Sequence, residues 1–128
     1  MLKVDPDVAV EVLNGGGQGR VCLLCEHASA FIPEAYDSLG LEVEQHLSHA
    51  VWDPGARDLA LRLSAALDAP LVSSRISRLV YDCNRPPEVE SAISVKSELI
   101  DVPGNRDLTE AARQQRVDLA YTPFCDAV

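Results

Sequence analysis

Several side chains in this sequence stand where their types and spacing could do chemistry. Glu26, His27 and Ser29 follow an unbroken apolar run, Val21-Cys22-Leu23-Leu24-Cys25, so ionisable groups are delivered where that run stops. Asp53 stands ahead of Pro54-Gly55. Arg78, Asp82, Asn84 and Arg85 are interleaved with Leu79, Val80 and Tyr81. Arginine presents a planar fork of donors that pairs with a carboxylate in bidentate fashion, and an adjacent asparagine adds another donor, so Asn84-Arg85 reads as a carboxylate clamp.

The elements that must position these residues follow from pattern. A run apolar on both faces predicts a strand over 21–25 in the middle of a sheet covered by helices. Open α/β sheets bind ligands outside the carboxyl ends of such strands, where Glu26, His27 and Ser29 would emerge. Further strands are predicted over 70–74 and 78–84. Alternation in the second of these puts Arg78, Val80, Asp82 and Asn84 on one face and Leu79, Tyr81, Cys83 and Arg85 on the other. Polar groups are costly to bury without partners, so their concentration there points to a site.

The clearest helix follows Asp53, with an apolar stripe of Ala56, Leu59, Ala60, Leu63 and Leu67. Asp53 suits its N-cap with Pro54 in the first turn, a role that competes with a chemical one. A short helix is expected from Pro33 to Gly40, and another over 42–50 carrying Val43, His46, Leu47 and Ala50. The last helix is expected from Asp107, where Asp107 and Glu110 have capping-box spacing, through Ala111, Ala112, Val117 and Ala120. Met1–Leu13 reads as an irregular or helical lead. The glycines of 14–19 precede a strand and lack Gly-Lys-Ser/Thr, which makes them a loop rather than a phosphate cradle. The fold class is α/β, a mixed sheet flanked by helices.

With 128 residues, 47% of them hydrophobic, the chain reads as a single domain over 1–128. Twenty acidic residues against 11 basic ones give a net charge of −9, which excludes nucleic acid and anionic membrane as main partners. No stretch reaches the ~18 apolar residues of a membrane span, and the N-terminus has neither a basic n-region nor an apolar h-region. A soluble cytoplasmic protein is expected. Cys22 and Cys25 have metal-knuckle spacing, but residues three apart on a strand face opposite ways, so they are expected as buried core thiols. No second Cys-x-x-Cys accompanies them.

Four segments taken in order carry a resemblance: Cys25-Glu26-His27-Ala28-Ser29, Trp52-Asp53-Pro54-Gly55-Ala56, the run from Ser77 through Asp82-Cys83-Asn84-Arg85 to Pro87, and Pro103-Gly104-Asn105. The chain resembles the N-terminal part of the N-formylglutamate amidohydrolase family, which is similar to zinc carboxypeptidases and aspartoacylases. The resemblance implies a phosphorylase/hydrolase-like three-layer fold, a zinc cofactor, and hydrolysis of N-formyl-L-glutamate, or a related N-acyl amino acid, to formate and L-glutamate in histidine breakdown. It implies that Asp82, Asn84 and Arg85 belong to the segment binding the substrate's α-carboxylate. It also implies that Arg78 contacts the substrate or its developing oxyanion as a catalytic group, and that His27 is a metal ligand.

Two departures stand out. Carboxypeptidase-type enzymes show His-x-x-Glu where this chain has His27-Ala28-Ser29-Ala30, so the second ligand must come from elsewhere, with Asp53 the first candidate, Glu26 the second and Glu34 the third. Family members also run well past this length, and their later part carries a third, histidine ligand and the general base. The chain therefore reads as truncated, with an exposed sheet edge prone to self-association. The alternative is a non-catalytic carboxylate-binding or interaction domain of the same fold.

Overall fold

Leu71, Val72, Ser73 and Ser74 are all buried, and this run rather than Val21–Cys25 forms the middle of the sheet. The computed structural model describes residues 9–46 and 48–128. Within them β1 (Val10–Leu13) pairs antiparallel with β3 (Leu71–Ser74), and β2 (Leu23–Cys25) pairs parallel with the other side of β3. The order is β1-β3-β2, a mixed sheet. β1 replaces the irregular or helical lead expected over part of this region. Its alternating Val10-Glu11-Val12-Leu13 is strand-like, but too short to stand out.

Two expectations about the apolar run are corrected. β2 begins only at Leu23, leaving Val21 and Cys22 exposed, and it lies at an edge with Leu24 45% exposed. An apolar run fixes burial preference but not which neighbour it pairs with. The central place went to a strand whose two serines disguised it. Ser74 Oγ is occupied by the backbone of Ile76, whereas the buried Ser73 Oγ has no hydrogen-bond partner among the described residues.

Helices cover both faces of the sheet. On one side Leu13, Leu23, Cys25 and Leu71 pack with Ala56, Ala60 and Leu61 of α1 (Ala56–Leu67). Leu59, Leu63 and Leu67, expected in the apolar stripe, are exposed, because small alanines allow α1 to approach on the Ala56–Ala60–Ser64 side. The end of α1 is closed by the glycine loop. Asn14 Nδ2 and the Gln18 amide donate to the Asp68 carboxylate, and the Gly19 amide donates to the Asp68 carbonyl. A Cβ on Gly19 would lie 2.2 Å from the Leu67 carbonyl oxygen, which explains the glycine.

The opposite face is covered by one helical run: α2 (Glu110–Arg116), a π-helical turn Val117–Tyr121, and α3 (Thr122–Ala127). Leu119, Ala120 and Phe124 enter the main core with Val72, Leu79, Val80, Tyr81 and Val102. The N-cap is Thr109, whose Oγ1 accepts from the Ala112 amide at 3.1 Å, so the helix starts later than the expected Asp107. Asp107 itself has a φ of 52° and cannot sit in the helix.

The expected strand over 78–84 is absent. Residues 78–80 and 83–84 form turns, and Leu79 through Cys83 are buried without alternation. The Leu79 and Val80 carbonyls accept from the side chains of Asn105 and Arg116 instead of a neighbouring strand. Residues 34–40 form a 3-10 segment with left-handed backbone at Asp37, Ser38 and Leu39. The helix expected over 42–50 reduces to a 3-10 turn at Val43–Gln45 capped by Glu42, and Leu47 lies outside the described residues. A small hairpin, β4 (Lys96–Ser97) and β5 (Ile100–Asp101), precedes Pro103-Gly104-Asn105. Among the described residues no helix is long and apolar enough to cross a membrane.

Candidate active site

β2 ends at Cys25, and the chain turns so that His27 leaves its carboxyl end toward the loop preceding α1. The Asp53 amide donates to the His27 carbonyl at 2.8 Å, fixing these two segments together. Asp53 does not cap α1: Gly55, at φ 84°, occupies the N-cap position without a side-chain bond. The Asp53 carboxylate turns instead to His27, with Oδ2 lying 3.1 Å from Nδ1. On the other side of the ring Asp82 Oδ1 lies 2.8 Å from Nε2. The imidazole is thus bracketed by two carboxylates.

Arg78 ties the two carboxylates to each other. Its Nη1 is 3.3 Å from Asp53 Oδ1 and its Nη2 is 3.6 Å from Asp82 Oδ2. Asp82 also accepts from the Asn84 amide at 3.0 Å and lies 3.4 Å from Arg85 Nε. These contacts explain how a carboxylate only 7% exposed remains charged. Burial pushes Asp82 toward the neutral acid, but the hydrogen bond and charge of His27, the Asn84 amide and the Arg78 charge outweigh it and hold its pKa below the ordinary value. Burial likewise opposes a charged His27, yet the bond to Asp82, its charge and the bond to Asp53 prevail against Arg78, so the imidazole pKa is raised.

Asn84 and Arg85 are exposed and line an open groove of about 350 Å³ together with Leu24, Glu26, Cys83 and Phe124. Arg85 Nη1 is 3.0 Å from Ser91 Oγ, and the Arg85 carbonyl accepts from Tyr81 Oη at 2.8 Å. A larger open cavity of about 490 Å³ lies beyond Ala28 and Ser29, between Phe31, Trp52 and the Arg57–Glu11 ion pair, and contains none of the bracketed residues. The groove beside Asn84-Arg85 matters more here because it adjoins the charged cluster through Asp82.

His27, Asp53, Arg78 and Asp82 are therefore joined in a ring of alternating contacts, and Asn84 and Arg85 join through Asp82. Glu26 lies in the groove and Glu34 is exposed on the 3-10 segment, so Asp53 is the candidate carboxylate that meets His27 Nδ1. Among the described residues no group of three or more His, Cys, Asp or Glu side chains is arranged around one point to hold a metal, since Asp53 and Asp82 flank opposite nitrogens of the ring. Cys22 is exposed rather than in the core, Cys25 is buried against α1, and both thiols are free. Sequence reasoning missed Ser91, Asn105 and Arg116. Only Asn105 left a trace, as a polar residue following Pro-Gly.

Comparison with known proteins places the chain in a family. The family model for N-formylglutamate amidohydrolase matches residues 19–128, which include every bracketing residue. No curated protein matches the chain. The crystal structure of a gene product from Agrobacterium tumefaciens is similar to this chain with 55% sequence identity and a TM-score of 0.90, over 94% of this chain and 48% of that one. The chain thus spans about half the length of that solved relative. With the family match covering most of its length, this chain belongs to the N-formylglutamate amidohydrolase family.

Proposed function

We propose that the chain provides the first metal ligands and the substrate-carboxylate clamp of an amidohydrolase that cleaves N-formyl-L-glutamate, or a related N-acyl amino acid, to a carboxylic acid and the free amino acid. The observation that carries this reading is the bracketing of His27 by Asp53 and Asp82 beside Asn84-Arg85. The two donors fit zinc. His27 Nδ1 and Asp53 Oδ2, 3.1 Å apart, are the two groups that would hold it, a histidine nitrogen and a carboxylate oxygen being donor types that zinc accepts. Asp82 on Nε2 supplies the carboxylate partner that fixes the tautomer of a ligating imidazole.

A zinc ion held there would acidify a bound water and polarise the acyl carbonyl. The remaining work falls to the chain's own side chains. Asp82 accepts a hydrogen bond from Nε2–H, so that the proton given up when the imidazole becomes a ligand would be the one on Nδ1, beside Asp53. Arg78, held by both carboxylates, offers positive charge to an oxyanion developing nearby. Asn84 and Arg85 receive the substrate's carboxylate in the groove. A third ligand and a general base come, in this reading, from sequence equivalent to the half of the Agrobacterium chain that lies outside the match.

A second reading, carboxylate binding without turnover, is favoured by the exposed Asn84 and Arg85 in the groove and by the absence, among the described residues, of a third donor grouped with His27 and Asp53. Zinc content, N-formyl-L-glutamate hydrolysis and calorimetric binding, each measured on this chain, on a chain extended to the relative's length and on His27→Ala in the extended form, separate the two. Zinc uptake and His27-dependent turnover in the extended chain support the enzyme. Binding without turnover in both lengths supports the second reading.

A further inference from the structure

We propose that Asn105 and Arg116 are positioning residues, which hold the segment carrying Arg78, Asp82, Asn84 and Arg85 in place against His27. The proposal rests on that segment being the substrate-binding arm described above. The arm has no strand partner, so its backbone needs other anchors. Asn105 Nδ2 donates to the Leu79 carbonyl at 2.8 Å and to the Ser94 carbonyl at 2.7 Å. Arg116 Nη1 donates to the Val80 carbonyl at 3.1 Å and to Asn105 Oδ1 at 2.6 Å, and its Nη2 donates to the Gly104 carbonyl at 3.2 Å.

The same network reaches the far end of the arm. Ser94 Oγ donates to the Ser91 carbonyl, and Ser91 Oγ meets Arg85 Nη1. Asp82 is fastened to this stretch as well, its amide donating to the Ala92 carbonyl at 2.8 Å. Leu79, Val80, Asp82 and Arg85 are thus all anchored to one connected set of groups with Asn105 at its centre.

Arg116 is an expensive choice for simple packing. It is 3% exposed, all the hydrogen bonds given above are to neutral oxygens, and its Cζ lies over the Tyr36 ring, 4.7 Å from the centroid. Burying a cation is costly unless its donors are used. A planar fork uses several at once and fixes their relative directions, which an apolar side chain cannot do. Neither residue is among the groups that meet His27 or Asp82, so both act through the backbone between Arg78 and Asp82.

The test is proton NMR of the His27 imidazole in the chain as it stands, with far-UV circular dichroism as the control for folding. In the wild type, the Nε2 proton held by Asp82 should give a slowly exchanging downfield resonance. Asn105→Asp, which keeps a partner for Arg116 but removes the donors to Leu79 and Ser94, should abolish it in a folded protein. Arg116→Met should do the same, and Arg116→Lys should restore it in part. An unshifted resonance in folded Asn105→Asp and Arg116→Met overturns the proposal, as does its absence from the wild type. Unfolding of both variants marks the pair as merely structural and overturns it too. Because the resonance reports geometry and not turnover, a wild type that shows it yet never hydrolyses N-formyl-L-glutamate, even when extended, removes the functional reading alone.

Discussion

Asp82 satisfies four neighbours from one buried carboxylate, so its removal should cost more than any single contact it makes. Asp82→Ala leaves His27 and Arg78 partly buried with only the more exposed Asp53 as a shared counter-charge, and a loss of about 3 kcal/mol is expected in urea denaturation. The pH dependence follows from the two shifts. In protein stripped of metal, the raised pKa of His27 contributes stability that is complete below about pH 6.5 and is lost as pH rises through its folded value. The lowered pKa of Asp82 contributes stability that is complete above about pH 4 and is lost as pH falls through its folded value. The chain should therefore be more stable near pH 6 than near pH 9, and His27→Gln should flatten that alkaline decline. For the clamp, Asn84→Ala or Arg85→Ala should weaken binding of N-formyl-L-glutamate by ~1.5–3 kcal/mol while leaving its α-amide little changed. Equal losses for acid and amide in calorimetry would remove the clamp. Iodoacetamide should label exposed Cys22 and Cys125 quickly and Cys83 slowly, because Cys83 is buried and its pKa is pushed up to about 12. Mass spectrometry of the labelled peptides decides.

At the scale of elements, local pattern placed a strand over 70–74, which the structure has at 71–74, and a helix after Asp53, which the structure has at 56–67. Which strand lies in the middle was not legible, since that depends on partners brought from β1 and β2 rather than on the run itself. The 78–84 segment was misread for the same reason. Its alternation looked like a strand, but its carbonyls are satisfied by Asn105 and Arg116, which lie well beyond it in the chain. At the site, the residue types and the likeness of four short segments were enough to pick out His27, Asp53, Arg78 and Asp82. They could not show that Asp53 abandons the helix cap, a choice that depends on the fold placing His27 beside it. The glycine loop gives an element-scale prediction. Gly19→Ala forces a Cβ against the Leu67 carbonyl and should lower stability by more than ~1 kcal/mol in thermal unfolding. Gly16→Ala, with nothing within 4 Å of the added carbon, should cost far less.

For the whole molecule, the open side of β2 matters most. Leu24 is exposed there beside a groove that also includes Phe124; among the described residues β2 pairs only with β3, and a strand edge of this kind with apolar neighbours is a template for further pairing. Concentration-dependent self-association is expected in sedimentation velocity, and Leu24→Lys should reduce it. A monomer at all concentrations would show that the short edge is adequately protected. The order β1-β3-β2 also bears on how the polypeptide is made. The strand that joins the other two is the last of the three to be translated, so neither β1 nor β2 has its sheet partner when it leaves the ribosome. Residues 26–70 must be added first, an interval on the order of seconds at cellular elongation rates. During that interval Leu23, Leu24 and Cys25 are exposed to chaperones and to other nascent chains, and a translational pause before Leu71 would prolong that exposure.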